Sequence, residues 1–343
     1  MAQKMEQAIA WYSTLVVTLG GITGRTKMMS DHVAGDSGQR FGNWGRWGHE
    51  DERGAANLLT AEVVRDAVGA VREGTVISLA MPIRGATSGP GASRVPHLTG
   101  RPLPQHFMSM DGGDYAAGTG RIKGELSVAD DALMVSPHGT TTHIDALSHM
   151  WRGDSLFNGH SANRVRSYGA TRCGIEKLGP LVARGVLLDV ARHSGVDHLP
   201  ASTRIDAGML EKTAQAAGVV IRSGDVVLVR TGWSTVFAVD PDLYNTEQPG
   251  LCYDGARWLV ERDVVAIGSD NIAVGALDHG GTFHGSVDED VHMLTLWEHG
   301  VPLIEMLWLE ELSRTERADF LLVVTPLPIV GGTASPVNPV AIL

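Results

Sequence analysis

The residues of this 343-residue chain best suited to do chemistry lie in one stretch, Ser136–Trp151, which reads SPHGTTTHIDALSHMW. It offers His138, His143, Asp145 and His149 within twelve residues. On an extended strand alternate side chains share a face, so His143 and Asp145 point the same way, about 7 Å apart along the chain. Imidazole and carboxylate converging in this way suit zinc, manganese or iron. His149 follows four residues after Asp145. If the chain turns into a helix after Ala146, His149 faces the same pocket without being a primary ligand. A neutral imidazole beside a metal-activated water is a proton shuttle, and a divalent ion brings the pKa of water from about 16 toward about 7. One isolated His reads as a polar residue at a strand end. An HxD pair with two further His in a Thr-rich, mostly uncharged segment points to a metal.

A second group comes late, in Asp288–Glu305 (DEDVHMLTLWEHGVPLIE). Val291, Leu294 and Leu296 predict a packed helix with His292 near its start and Gly300 at its end, and Val301–Ile304 predicts a short strand leading into Glu305. A helix that turns back along a strand places His292 beside Glu305. A lone Glu is ordinarily solvated, but Glu305 sits inside the apolar run VPLIEMLWL. A buried carboxylate needs a partner, and a cation is one.

The elements that must position these groups are legible from the pattern of apolar residues. Ala61–Glu73 has helical spacing with Thr60 as N-cap and Gly74 just past the end. Helices are also predicted over Ala207–Ala217, capped by Asp206, and Ala256–Arg262. Thr75–Met81, Gly185–Val190, Asp225–Thr231, Val264–Gly268 and Phe320–Thr325 read as buried strands. Strands and helices alternate, yet several strands follow one another directly, which predicts an α/β protein with a mixed sheet or two sheets. No dinucleotide or P-loop signature is present, and no Gly-x-Ser-x-Gly elbow points to a serine hydrolase.

Composition narrows the partners. With 28 Lys and Arg against 39 Asp and Glu the net charge is −11, and no basic run interrupts it, which argues against nucleic acid and anionic membrane surfaces. Two cysteines, Cys173 and Cys252, cannot build a disulfide framework and fit a reducing, cytoplasmic compartment. Fourteen His in such a chain are unusual. The apolar segment Ala8–Gly20 is shorter than the about 20 residues a membrane span needs, and Glu6 weakens it as a secretory leader. Residues 1–30 are expected to be a peripheral, disordered extension, either upstream of a start at Met28 or Met29 or a signal-like leader; residues 40–343 are expected to form one domain.

SPHGTTTHIDALSH resembles the signature of the cyclase-like metal-dependent hydrolases, His-x-Gly-Thr-His-x-Asp-x-Pro-x-His, a family that includes bacterial kynurenine formamidase, isatin hydrolase and trans-dienelactone hydrolase. The resemblance runs over residues 43–339. Asn43–Thr60 looks like the opening of the family's longer branch, and LVRTGW (Leu228–Trp233), Pro249–Leu259, IGSDN (Ile267–Asn271) and Pro326–Pro339 follow in order. It implies a single-domain α/β fold of the mixed-sheet, swivelling β/β/α type, assembled as a homodimer or homotetramer. It implies His143 and Asp145 as metal ligands with Asp145 able to bridge two ions, His149 as the catalytic His, and His292 and Glu305 at a second metal position. The first ligand of the pattern falls on Gly139, one residue after His138. Either a one-residue bulge in the strand brings His138 into the site, or the ligand set differs. Leu147 replaces the usual Pro.

The implied reaction is hydrolysis of a small cyclic or aryl amide, with one or two zinc or manganese ions; a lactone on the same site, or a catalytically silent metal- or ligand-binding protein, are the alternatives. Thr140–Thr142 are candidate oxyanion donors. Trp44, Trp47, Asn57 and Trp233 either line a flat substrate or belong to the core. Asp270 and Asn271 are supporting residues of the site or turn residues. The remaining His (His49, His97, His106, His160, His193, His198, His279, His284, His299) read as surface or loop, with His97 and His106 candidates for a substrate-facing loop.

Overall fold

The computed structural model describes residues 42–85, 96, 98, 100–119, 121–124 and 126–343. The extension expected over residues 1–30, and His97, lie outside them. Nine strands form the main sheet: β1 (Val76–Ser78), β2 (His143–Asp145), β3 (Leu181–Asp189), β4 (Val226–Arg230), β5 (Ala266–Ser269), β6 (Leu303–Glu305), β7 (Asp319–Val324), β8 (Ala334–Pro336) and β9 (Val340–Ile342). Their spatial order is β1-β9-β7-β3-β4-β5-β6-β2-β8. The four middle strands β3 to β6 are parallel. Both flanks are antiparallel, so the main sheet is mixed, the first of the two arrangements expected, and small two-stranded sheets accompany it.

The middle strands are buried on both faces, which is why they read as continuous apolar runs. In β4, Val227 and Val229 join the core formed with Leu210, Ala214, Ala256 and Leu259. Val226 and Leu228 point to the opposite core, with Ile77, Ile144 and Leu312. The first face is covered by α2 (Ala207–Ala216), α3 (Tyr253–Val260) and a π-helix, Met293–His299.

Local capping explains where the helices begin. Thr60 accepts a hydrogen bond from the Val63 amide at the start of α1 (Ala61–Val68), and Asp206 does the same for Met209 at the start of α2. Most boundaries shift from expectation, the strand expected over Thr75–Met81 shrinking to Val76–Ser78 and that over Gly185–Val190 growing to Leu181–Asp189. The first helix ends at Val68, because Gly69 closes it, and Gly74 belongs instead to the approach to β1, where its amide donates to Leu343 O. The predicted helix Ala256–Arg262 begins three residues earlier, at Tyr253. The strand expected at Val301–Ile304 is Leu303–Glu305, which brings Glu305 inside the sheet.

Among the described residues no helix is long and apolar enough to cross a membrane, and both cysteines are free thiols.

Candidate metal centre

The parallel part of the sheet ends at β6, and β2 lies beside it antiparallel. In that register Glu305 faces His143 and Ile304 faces Ile144, while β8 closes the other side of β2 with Pro336 opposite His143. Three residues of β2 therefore sit wholly inside the protein, His143 and Asp145 on one face and Ile144 on the other. His143 Nε2 lies 3.5 Å from Asp145 Oδ1 and 3.2 Å from Glu305 Oε2. His292 Nε2 lies 3.3 Å from Glu305 Oε1. His138 Nδ1 lies 3.1 Å from Asp145 Oδ1. Two overlapping triads result, His138–His143–Asp145 and Asp145–His292–Glu305, each with ligand atoms within 4.8 Å of one another. Asp145 belongs to both.

A turn, rather than a bulge in the strand, delivers His138. Gly139 has φ +71, a left-handed conformation that a Cβ would strain, and an added Cβ would also meet Leu98 Cβ at 2.5 Å. The chain tightens again through Thr140 N to Pro137 O at 3.3 Å before β2 begins. The helix expected after Ala146 does not form. A turn closes from His149 N to Ala146 O at 2.9 Å, and it folds the His149 ring back onto His138, stacked at 3.8 Å and 15°. His149 is also 6.2 Å from the His292 ring.

His292 enters from the residue preceding the π-helix, a wide-turn element often found at functional sites. The last carbonyls of that helix need donors. The Asn43–Thr60 segment supplies them. The Asn43 amide donates to Glu298 O at 3.0 Å, Asn43 Nδ2 to His299 O at 2.8 Å, Trp44 Nε1 to Trp297 O at 2.7 Å, and the Ala55 amide to Gly300 O at 2.8 Å.

The electrostatics are those of a cation site. His143 Nδ1–H donates to Thr141 O at 2.8 Å, which turns Nε2 toward the two carboxylates. Burial works against a charged His143, but Asp145 and Glu305 overcome it and push its pKa up to about 10. Burial and Asp145 oppose ionisation of Glu305, yet His143 and His292 hold it low. Asp145 is likewise buried, and His149, His138 and His143 keep it well below the usual carboxylate range. Burial drives His149 down to about 4, which leaves it neutral and able to accept a proton. Six buried atoms of the five residues (His138 Nδ1, His143 Nε2, both Asp145 oxygens, His292 Nδ1 and Glu305 Oε1) have no hydrogen-bond partner. Such a concentration of unsatisfied donors and acceptors is costly unless something binds between them. The nitrogen and oxygen set fits a divalent cation.

Other expected residues are placed differently. Trp44 and Trp47 pack against the core with the π-helix rather than on a substrate. Trp233 is buried and donates to Tyr244 O. Asn57 bonds Asp51 and Gly54 O. Thr140 spends its hydroxyl on Ser136 O and Thr142 on Met306 O, so neither is free as an oxyanion donor. Asp270 accepts from Thr231 N, Thr231 Oγ1 and Gly232 N, bracing the ends of β4 and β5. His106 pairs with Asp131 at 2.6 Å on an exposed hairpin. Among the described residues none of the other His reaches the cluster. Sequence reasoning missed Phe283, whose ring lies 5.0 Å from that of His292. The Gly280-Gly281 pair between Asp278 and Thr282 was the available hairpin signal.

A protein-family profile described as a putative cyclase matches residues 59–276. A solved structure described as a novel cyclase is 33% identical, with a TM-score of 0.79, covering 89% of this chain and 100% of its own. The chain belongs to the cyclase family. Its fold is shared by an isatin hydrolase bound to the product analogue thioisatinate, at 18% identity and TM-score 0.55 over 83% of this chain and 99% of the other. Isatin hydrolase A from Labrenzia aggregata is similar in the same way, at 19% identity and TM-score 0.53 over 80% and 94%. No functionally curated protein matches the cyclase-family sequence described here.

Proposed function

We propose that this cyclase-family protein is a divalent-metal-dependent hydrolase that opens a small cyclic or aryl amide of isatin or formamide type. The observation that carries the reading is two triads that share Asp145, His138–His143–Asp145 and Asp145–His292–Glu305, with six buried, unsatisfied atoms among the five residues and a neutral His stacked beside them. His138, His143 and Asp145 would hold one ion, and Asp145, His292 and Glu305 a second, with zinc or manganese suited to the donors. When bound, the ion supplies Lewis acidity to the carbonyl and makes water nucleophilic near neutral pH.

The chain's own residues do the rest. His149 accepts the proton of the attacking water at its free imidazole nitrogen and delivers it to the departing nitrogen. A leaving amine needs that proton more than the oxygen of an activated lactone does, and this favours the amide over the lactone alternative. Stacking on His138 fixes the ring of His149 without consuming its proton-accepting capacity.

We place the protein in the cytoplasm, on its free thiols, and infer an assembly of two or four copies. Eight of the 22 exposed large apolar side chains among the described residues fall within 103–134, which gives a second copy a surface to cover. The test of function is a panel of N-formylanilines, isatin, cyclic imides and lactones, run with zinc and then manganese alongside metal analysis. Chelator-sensitive turnover of an aryl or cyclic amide is expected. Stoichiometric metal with no turnover of any of them would leave a metal-binding protein without hydrolase activity.

A further inference from the structure

Phe283 has a placement that core packing does not explain. It sits on a short hairpin, Leu277–Asp278 paired with Thr282–Phe283, whose tip residues Gly280 and Gly281 are both left-handed. Its ring meets the His292 ring at 5.0 Å and 62°, yet 45% of the residue is open to solvent. The directly opposed Leu277 is buried.

The hairpin is pinned rather than loose. Gly281 N donates to Thr246 O at 2.7 Å and to Asp278 O at 3.0 Å. Gln248 and Leu277 exchange backbone hydrogen bonds at 3.2 Å, and Asp278 pairs with both Arg204 and His284. A half-exposed aromatic ring held rigidly against a residue of the cluster is a preorganised apolar contact.

We propose that Phe283 is a specificity-determining residue that selects substrates with a planar aromatic body over aliphatic ones. The proposal rests on the hydrolase reading. A carbonyl held beside His292 and Glu305 leaves the body of the molecule next to the Phe283 ring, which meets the buried His292 and itself reaches solvent. An aryl group covers the exposed half of the ring in an edge-to-face or offset arrangement. A short alkyl chain covers less of it. Area and ring geometry together are worth roughly tenfold in affinity.

The competing role for Phe283 is to shield His292 from water. The experiment uses the metal-loaded protein and its Phe283→Ala and Phe283→Leu variants. It measures metal content, kcat and KM for N-formylaniline and N-formylbutylamine, and binding of benzoate and butyrate by calorimetry. Phe283→Ala is expected to retain its metal, raise KM for the aryl substrate and weaken benzoate about tenfold. Alkyl substrate and butyrate should change by less than about twofold, with Phe283→Leu between wild type and the Ala variant. Equal losses for aryl and alkyl probes, or loss of metal from the Ala and Leu variants, would overturn the proposal in favour of shielding. If the wild type hydrolyses neither amide, the hydrolase reading fails. The carboxylate pair still reports on Phe283: a benzoate preference abolished in Phe283→Ala supports its role, and no preference in the wild type ends it.

Discussion

At the scale of single residues, His143 and His149 occupy the same short segment in different settings, and the proposed function gives them separate duties. His143 is held by Thr141 with its Nε2 aimed at two carboxylates, whereas His149 faces the same space as a neutral ring. His143→Ala and Asp145→Ala should therefore lose bound metal and turnover together, which elemental analysis and an amide assay would show. His149→Gln should keep its metal and lose about 10²- to 10⁴-fold in kcat, the usual range for a missing acid–base group. A His149 variant that loses its metal would make it a ligand instead. The shared face of His143 and Asp145 was legible in the sequence because strand alternation is a local rule. His143 and Asp145 share a face whatever the rest of the chain does, and Glu305 announced itself as a carboxylate in an apolar run. His138 was less legible, since its delivery depends on the left-handed Gly139 and its contact with Leu98, a residue 41 positions away in sequence.

At the scale of elements, the site depends on ties between segments that supply no ligand. Thr142 donates to Met306 O at 2.5 Å and accepts from the Met81 amide at 2.9 Å, joining the entry to β2 to the exit from β6. Thr142→Val keeps the shape and leaves two backbone groups unpaired, so a loss of about 1–3 kcal/mol in urea unfolding is expected. Asp270 bears on pH. Burial lifts its pKa to about 6 in the folded state against its three hydrogen bonds, above the ordinary aspartate value of 3.8. From about pH 4 to about pH 6 the fold retains a proton that the unfolded chain releases. Stability from this group is thus full at the acid end, falls across that window and is flat above it. Asp270→Asn should be less stable overall but lack that decline, as urea midpoints at pH 4.5 and 7 would show. The role of Asn43–Thr60 was hidden from sequence reading. Its Trp residues resemble a pocket wall in type, but Trp44 serves a carbonyl of a π-helix and Trp47 packs on the core, and that helix type has no recognisable sequence period.

At the scale of the whole molecule, strand identity was readable and strand order was not. Continuous Val, Leu and Ile runs mark β3, β4 and β5 because each contributes to both cores, and β7 sends Phe320, Leu322 and Val324 into one of them. The insertion of β2 between β6 and β8 is a long-range pairing that local patterns cannot express. The same topology predicts a strong linkage between metal and stability. A cation that binds the folded cluster and not the open chain stabilises by about 3–4 kcal/mol at 100 to 1,000 times its Kd. Chelation should lower the thermal midpoint, and zinc or manganese should restore it. Unchanged midpoints with and without metal would mean that the five residues do not bind it in the fold.

The seat of β2 between β6 and β8 also sets an order of events in the life of the protein. Residues 138–149, 292 and 305 come together only when distant stretches have paired, and β8, which flanks β2, follows all of them in sequence. A nascent chain that has not been made as far as Glu305 lacks part of the candidate ligand set. On the proposed function, an ion held by all five candidate ligands is captured only after these strands have paired. A population starved of metal during synthesis is then expected to load fully once folded and supplied.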